Sequence, residues 1–200
     1  MSREFYSKAA IRTQIKSPVQ WLVGTARSLD APLPDPDVCA GILHLLGQDL
    51  FAPPSVKGWD GGYAWITTNS LLSRYNFAGI LVKGGGLLTQ NAPGLANMEN
   101  GKGKGGGKSP VGPIVNVMRA MANSAPLIDC AKVLPPAARK DKEHVLECLE
   151  WRLFHAELSE KENDALRESL AKLPEPSTWS DADVRTLLHT MMSTPFYQLT

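Results

Sequence analysis

Residues 180–192, SDADVRTLLHTMM, decide the fold class, because they combine a helix start with the apolar spacing of a helix. Ser180, followed by Asp183, is typical of such a start, since short polar side chains accept hydrogen bonds from the free amides of the first turn. Five apolar residues then recur at helical spacing and form one face, namely Val184, Leu187, Leu188, Met191 and Met192. The stretch predicts an amphipathic helix that packs on a core.

Working outward, the rest of the chain repeats this pattern. Ser159 begins a capping box, SEKE at 159–162, and the helix that it opens ends near Leu173, before two prolines. Another helix is predicted from about Pro136 to Leu158. Further helices are predicted at five places, which are from Ser17-Pro18 to about Leu29, from Asp37 to Leu46, from Thr67 or Thr68 to Val82, and at about 113–123 and 126–133. No stretch alternates as a β-strand does, so the sequence predicts an all-α, helical bundle-like domain.

Residues 48–66 break the helical pattern, because they contain two prolines, three glycines and four aromatic residues. Their order, QDLFAPPSVKGWDGGYAWI, has neither helical nor alternating spacing. Asp60-Gly61-Gly62 is a turn signal, since glycine tolerates the positive φ angles of tight turns. We expect a long irregular Pro/Gly/Trp segment that side-chain packing holds in place.

Residues 84–112 are rich in Gly, Asn, Lys and Pro. Such a composition buries too little apolar surface to offset the entropy of ordering, so it predicts a flexible, disordered Gly/Lys insertion between helices. Gly107-Lys108-Ser109 resembles the end of a phosphate-binding loop, but Lys102 stands where that motif needs its first glycine. We therefore expect a single domain over 1–200, or the C-terminal part of a larger one, with no nucleotide cofactor.

Composition excludes several classes of protein. The chain of 200 residues is 43% hydrophobic and carries 21 basic against 20 acidic residues, a net charge of +1. A dedicated nucleic-acid binder usually has a basic excess, so no nucleic-acid partner is expected. No apolar run approaches the roughly 18 residues of a membrane span, and the first six residues contain no apolar signal region. Three cysteines are too few for a disulfide framework.

The irregular segment and the helix after it supply the candidate binding residues, which are Lys57, Trp59, Asp60, Trp65 and Arg74. In a functional interpretation they line a cleft in which tryptophan faces stack on a ring or sugar while Asp60 and Arg74 orient it. In a structural interpretation Trp59 and Trp65 fill a core, and Asp60 bonds its own turn or pairs with Arg74. The structural interpretation is favoured, and under it the GWDGG motif at 58–62 locks the fold through Trp59.

Other reactive side chains do not assemble into a site in the sequence. His144 and Cys148 lie four residues apart on one predicted helical face and can both reach one metal ion, but two ligands do not make a site. Cys39 and His44 fall near opposite faces of their helix, so they do not form a local nucleophilic pair. We expect no metal and no cofactor, and these residues are interpreted as parts of packing faces.

Several motifs together resemble the DUF1800 family of uncharacterised bacterial proteins. They are IKSPVQ at 15–20, RSL at 27–29, LGQDLFAPPSVKGWDGG at 46–62, WI at 65–66 and MSTPFYQ at 192–198. The resemblance covers most of this chain but only the C-terminal third or so of a full-length member. It implies an extracytoplasmic location, since members are often exported, and it supplies no established catalytic residues.

Two functional hypotheses follow from the resemblance and the residues. In the first, the chain is a structural or interaction module of an exported protein, and its partner is the missing N-terminal part of the family architecture or another exported protein. In the second, it is a fragment of a hydrolytic enzyme with a Trp/Asp/Arg-lined cleft for a polysaccharide-like substrate. Sugar hydrolysis normally needs two facing carboxylates, and residues 48–76 contain only Asp49 and Asp60. This scarcity favours the first hypothesis.

Overall fold

The computed structural model describes residue 7 and residues 10–84, 112–124 and 128–200. Within these ranges the chain forms eight α-helices and no β-strand, which confirms the all-α prediction. The helices are α1 (Pro18–Ser28), α2 (Pro36–Leu45), α3 (Thr68–Lys83), α4 (Gly112–Ser124), α5 (Cys130–Val133), α6 (Lys142–Phe154), α7 (Glu160–Ala171) and α8 (Asp181–Met192). The insertion predicted over 84–112 lies, apart from its two end residues, outside the described residues.

Four helices begin with reciprocal caps, in which the cap side chain and the third helical residue each satisfy a backbone amide of the other. The cap residues are Ser17 for α1, Thr67 for α3, Ser159 for α7 and Ser180 for α8. Each satisfies amides that the first turn would otherwise leave unpaired. These starts are set by local sequence, and they agree with the predicted positions.

The helix predicted from Pro136 to Leu158 is wrong in its extent. Residues Pro136–Ala138 form a short 3-10 turn, and a new helix, α6, begins only after Asp141, whose carboxylate accepts a hydrogen bond from the His144 amide at 2.8 Å. That helix ends at Phe154, because His155 adopts a left-handed conformation with φ 55°. A cap at Asp141 and a left-handed residue at 155 therefore divide a stretch whose apolar spacing continues through both.

Helix α3 lies at the centre of the bundle and packs against both α4 and α8. The crossing with α8 is close, since a Cβ atom at Gly79 would lie 3.1 Å from His189 Nε2. The buried His189 side chain donates a hydrogen bond from Nε2 to the Tyr75 carbonyl at 3.2 Å, and its ring packs on Tyr75 with centroids 4.6 Å apart. Burial lowers the pKa of His189, which favours the neutral ring at this crossing.

The helical spacing of Leu71, Tyr75, Ala78 and Val82 predicts one core-facing stripe on α3, but the first half of the helix buries a different face. The apolar spacing places Leu71 and Tyr75 on the core face, but they are 40% and 48% exposed. The helix buries polar residues there instead, which are Ser70, Ser73 and Arg74. Ser70 donates to the Trp65 carbonyl at 2.9 Å, so this side chain enters the core with a hydrogen-bond partner. The displaced apolar residues form part of a surface groove.

Candidate interaction surface

A loop at residues 49–57, the motif loop, is exposed at every position. It is nevertheless anchored at its start. Gln48 accepts a hydrogen bond from the Val19 amide at 3.0 Å, and Asp49 accepts one from His44 at 2.8 Å. A turn closes its end, where the Gly58 amide donates to the Ser55 carbonyl at 2.9 Å. The scaffold therefore holds this loop in a defined position on the surface.

The motif loop presents apolar side chains to solvent. Six of its nine residues are apolar, namely Leu50, Phe51, Ala52, Pro53, Pro54 and Val56. Phe51 is 100% exposed and has a φ angle of 65°, a left-handed conformation that is uncommon for a bulky residue. Exposed apolar surface of this kind typically marks an interaction site.

The structure separates the five residues proposed for a binding cleft. Lys57 and Asp60 lie on the surface, where they form an ion pair at 3.2 Å with side chains 82% and 77% exposed. Trp59 is half-buried and Trp65 is buried. Arg74 is 1% exposed and hydrogen-bonds Lys16 and Gln198, not Asp60. The Asp60–Arg74 pair of the structural interpretation is therefore not formed, and in the cleft interpretation Arg74 is engaged in the core while Asp60 lies in solvent.

Arg74, on α3, hydrogen-bonds residues near both ends of the described chain. Its guanidinium donates to the Lys16 carbonyl at 2.9 Å and to Gln198 Oε1 at 3.0 Å. Residues 14–16 and 198–200 lie antiparallel, joined by hydrogen bonds from the Thr200 amide to the Gln14 carbonyl at 2.8 Å and from the Lys16 amide to the Gln198 carbonyl at 2.7 Å. We call this arrangement the terminal clasp. The sequence did not predict this arrangement, because its parts are far apart in the chain.

The terminal clasp concentrates positive charge in a buried place. Lys16 donates to the Tyr197 carbonyl at 2.8 Å, and its ammonium lies 4.0 Å from the centre of the Tyr197 ring. Burial, with the neighbouring Arg74 and Arg12, lowers the pKa of Lys16 to about 8, and burial lowers the pKa of Arg74 to about 10. These cations are stabilised by carbonyl groups and aromatic rings. The terminal clasp is therefore stable only while those groups stay close to Lys16 and Arg74.

Arg12 connects the terminal clasp to α7 through an ion pair with Glu162. This pair predicts that the fold is less stable in acid. Arg12 donates to both carboxylate oxygens of Glu162, at 2.6 and 3.2 Å, and this hydrogen bonding lowers the pKa of Glu162 to about 2. A lowered carboxyl pKa adds stability that is fully present above the unfolded value of 4.5 and is lost as pH falls toward 2. Glu162→Gln lacks this pH-dependent contribution. We therefore expect its free energy of unfolding to fall less between pH 4.5 and 2 than that of the unmodified chain.

Urea unfolding of both proteins across that pH range measures the effect. The free energies of unfolding should differ most at neutral pH and converge as the solution is acidified. A difference that stays constant with pH would contradict the assignment. Glu168→Gln is the control, because Glu168 pairs only with Lys172 at 3.5 Å on an exposed helix face.

A groove lies beside the terminal clasp and consists of two neighbouring parts that share three lining residues. The first part, of about 470 Å³, is apolar and is lined by residues that include Ile66, Leu71, Leu72, Tyr75, Met192 and Pro195. The second part, of about 390 Å³, is more polar and is lined by residues that include Thr13, Gln14, Gln20, Gly61, Gly62 and Trp65. Ile15, Tyr63 and Leu199 line both parts and join them. The sequence did not predict this groove, although Trp65 lies in its wall.

The remaining reactive side chains lie apart from this groove. His144 Nε2 and Cys148 Sγ are 3.8 Å apart on α6, as their spacing predicted. The Cys39 thiol donates to the Pro34 carbonyl at 3.3 Å, while His44 pairs with Asp49. Burial, with a smaller effect of Asp35, raises the pKa of the Cys39 thiol, which disfavours the nucleophilic thiolate.

Comparison with known proteins gives one match. The family model described as "Protein of unknown function (DUF1800)" matches residues 1–199, essentially the whole chain. No curated protein and no solved structure matches it. None of the helices in the described ranges is long and apolar enough to cross a membrane.

Proposed function

The chain belongs to the DUF1800 family of proteins of unknown function, and from this premise we propose that it is a non-enzymatic interaction module. Its partner is another part of the family architecture, the N-terminal region that full-length members carry. The motif loop at 49–57 is the docking element, and the helical bundle is the scaffold that presents it.

The exposure of the motif loop carries this proposal. Every residue from 49 to 57 is exposed, and Phe51 projects completely into solvent from a left-handed backbone position. Apolar side chains left in water cost free energy, which burial against a partner recovers at roughly 25 cal/mol per Å². The positive φ angle at Phe51 adds a further free-energy cost, because a bulky side chain disfavours it, and such strain is found at functional sites. Both costs are offset when the loop is covered by a partner.

The hydrolytic alternative has no comparable support. It requires Trp59, Asp60 and Arg74 to line one cleft, but Arg74 is buried in the terminal clasp and Asp60 pairs with Lys57 in solvent. It also requires two facing carboxylates, and within the described ranges no Asp or Glu lines either part of the groove. The arrangement is suited to binding and offers no acid and base for hydrolysis.

Phe51→Asp is expected to weaken docking at least tenfold, because it places a charge at the centre of an apolar contact. The measurement is co-purification of this chain with the N-terminal region of a full-length relative, co-expressed and analysed by size-exclusion chromatography and titration. The thermal midpoint of Phe51→Asp alone should equal that of the unmodified chain, since the side chain makes no buried contact.

Leu33→Asp is the matched control, because Leu33 is a 47% exposed apolar residue outside the motif loop. It should leave docking unchanged. If Phe51→Asp and Leu33→Asp both dock like the unmodified chain, the motif loop is not the docking element. If neither the unmodified chain nor the variants bind the N-terminal region, the partner is wrong.

A further inference from the structure

The groove beside the terminal clasp is uncharged, although charged residues make up 20% of the chain. Among the residues that the structure describes, no Asp, Glu, Lys or Arg lines either part of it. Its polar lining consists of hydroxyl, amide and backbone groups, such as those of Thr13, Gln14 and Gln20. A charged ligand would lose its hydration here without gaining a partner, so the lining favours an uncharged one.

Ile15 lines both parts of the groove, and among the described residues its backbone is unpaired on the side away from Leu199. Gln14 and Lys16 hydrogen-bond toward residues 198–200, and Ile15 forms the bridge opposite Leu199. Because hydrogen-bonding alternates along an antiparallel pair, the Ile15 amide and carbonyl point away from that pair. Neither group has a hydrogen-bond partner in the described part of the chain. An added extended segment could satisfy both groups, as in strand addition to a sheet edge.

The other part of the groove supplies apolar contact. Leu71, Leu72 and Tyr75 are 40%, 59% and 48% exposed, and Tyr63 is 89% exposed at the junction of the two parts. A saccharide would leave much of this aliphatic surface without a suitable partner, since sugars present hydroxyl groups on most sides. Apolar side chains on an extended polypeptide match it, because one edge can bond Ile15 while alternate side chains reach the apolar part.

We propose that this groove binds an extended, uncharged polypeptide segment, which pairs with the backbone of Ile15 and places apolar side chains against Leu71, Leu72 and Tyr75. The proposal is independent of docking through the motif loop, because no residue from 49 to 57 lines the groove. The chain then has two separate binding surfaces, a projecting loop and a receiving groove.

The test uses the whole chain as bait against a random octapeptide library displayed on beads. Selected sequences should be depleted of Asp, Glu, Lys and Arg and enriched in Val, Ile, Leu and Thr. The most enriched peptide, made with capped ends, should bind at least tenfold more weakly to Leu72→Asp. N-methylation of its central amides should weaken binding at least tenfold, and bound peptide should slow hydrogen exchange at the Ile15 amide.

Two controls separate this proposal from the previous one. Phe51→Asp should bind the peptide as the unmodified chain does, whether or not the motif loop docks a partner. Circular dichroism and the thermal midpoint establish that Leu72→Asp is folded, and Leu33→Asp is a matched exposed substitution. No enrichment over a Leu72→Asp bait, enrichment of charged sequences, or binding that N-methylation does not affect would each overturn the proposal. So would tight binding of cellohexaose or chitohexaose that Leu72→Asp abolishes, since the groove would then be a saccharide site.

Discussion

Arg74→Met is expected to destabilise the fold by about 2–6 kcal/mol, a large part of the roughly 5–15 kcal/mol that holds a domain together. Methionine fills much of the same space, so the loss comes from hydrogen bonds and not from a cavity. The Lys16 carbonyl and Gln198 Oε1 both accept from Arg74, and removing their donor leaves two polar groups without it. The residues at 14–16 and 198–200 should separate from α3.

Urea unfolding monitored by circular dichroism measures this loss. Lys57→Met is the matched control, because it also replaces a long cationic side chain by methionine, but at a position that is 82% exposed; it should change the free energy of unfolding by less than about 0.5 kcal/mol. Replacing buried charge by an apolar residue sometimes stabilises a protein. If Arg74→Met is as stable as the unmodified chain, the terminal clasp does not hold the fold together.

Trp65→Ala is the second substitution with a large expected effect, a loss of about 3–5 kcal/mol. Trp65 is 8% exposed, and its carbonyl accepts the Ser70 hydrogen bond at the start of α3. Truncation removes a large buried contact area and leaves a cavity beside the groove. The sequence predicted that Trp59 locks the fold; since Trp59 is only half-buried, we expect Trp65 to contribute the larger part of this stability.

Trp151→Ala is the control for the loss of a tryptophan, because Trp151 is 54% exposed. The thermal midpoint should fall sharply in Trp65→Ala and should change little in Trp151→Ala, with Trp59→Ala between them. Equal midpoints for Trp65→Ala and Trp151→Ala would mean that burial at residue 65 does not contribute to stability.

The sequence by itself determined the helical architecture and the starts of α1, α3, α7 and α8. A capping residue such as Ser180 acts on amides within the next three residues, and an apolar face such as that of α8 repeats within a few turns. These interactions are local, so spacing along the chain is enough to predict them. The family, too, could be identified from contiguous motifs, and the match over residues 1–199 confirms it.

Only the tertiary structure decided what the candidate residues do. Arg74 was predicted to orient a ligand together with Asp60 or to pair with Asp60, but it is buried and bonds acceptors that residues 16 and 198 supply from opposite ends of the described chain. Leu71 and Tyr75 looked like core residues, but they line a groove because Ser70, Ser73 and Arg74 occupy the buried face. A polar group can be buried only where partners meet it, and those partners lie too far along the chain for local spacing to reveal them.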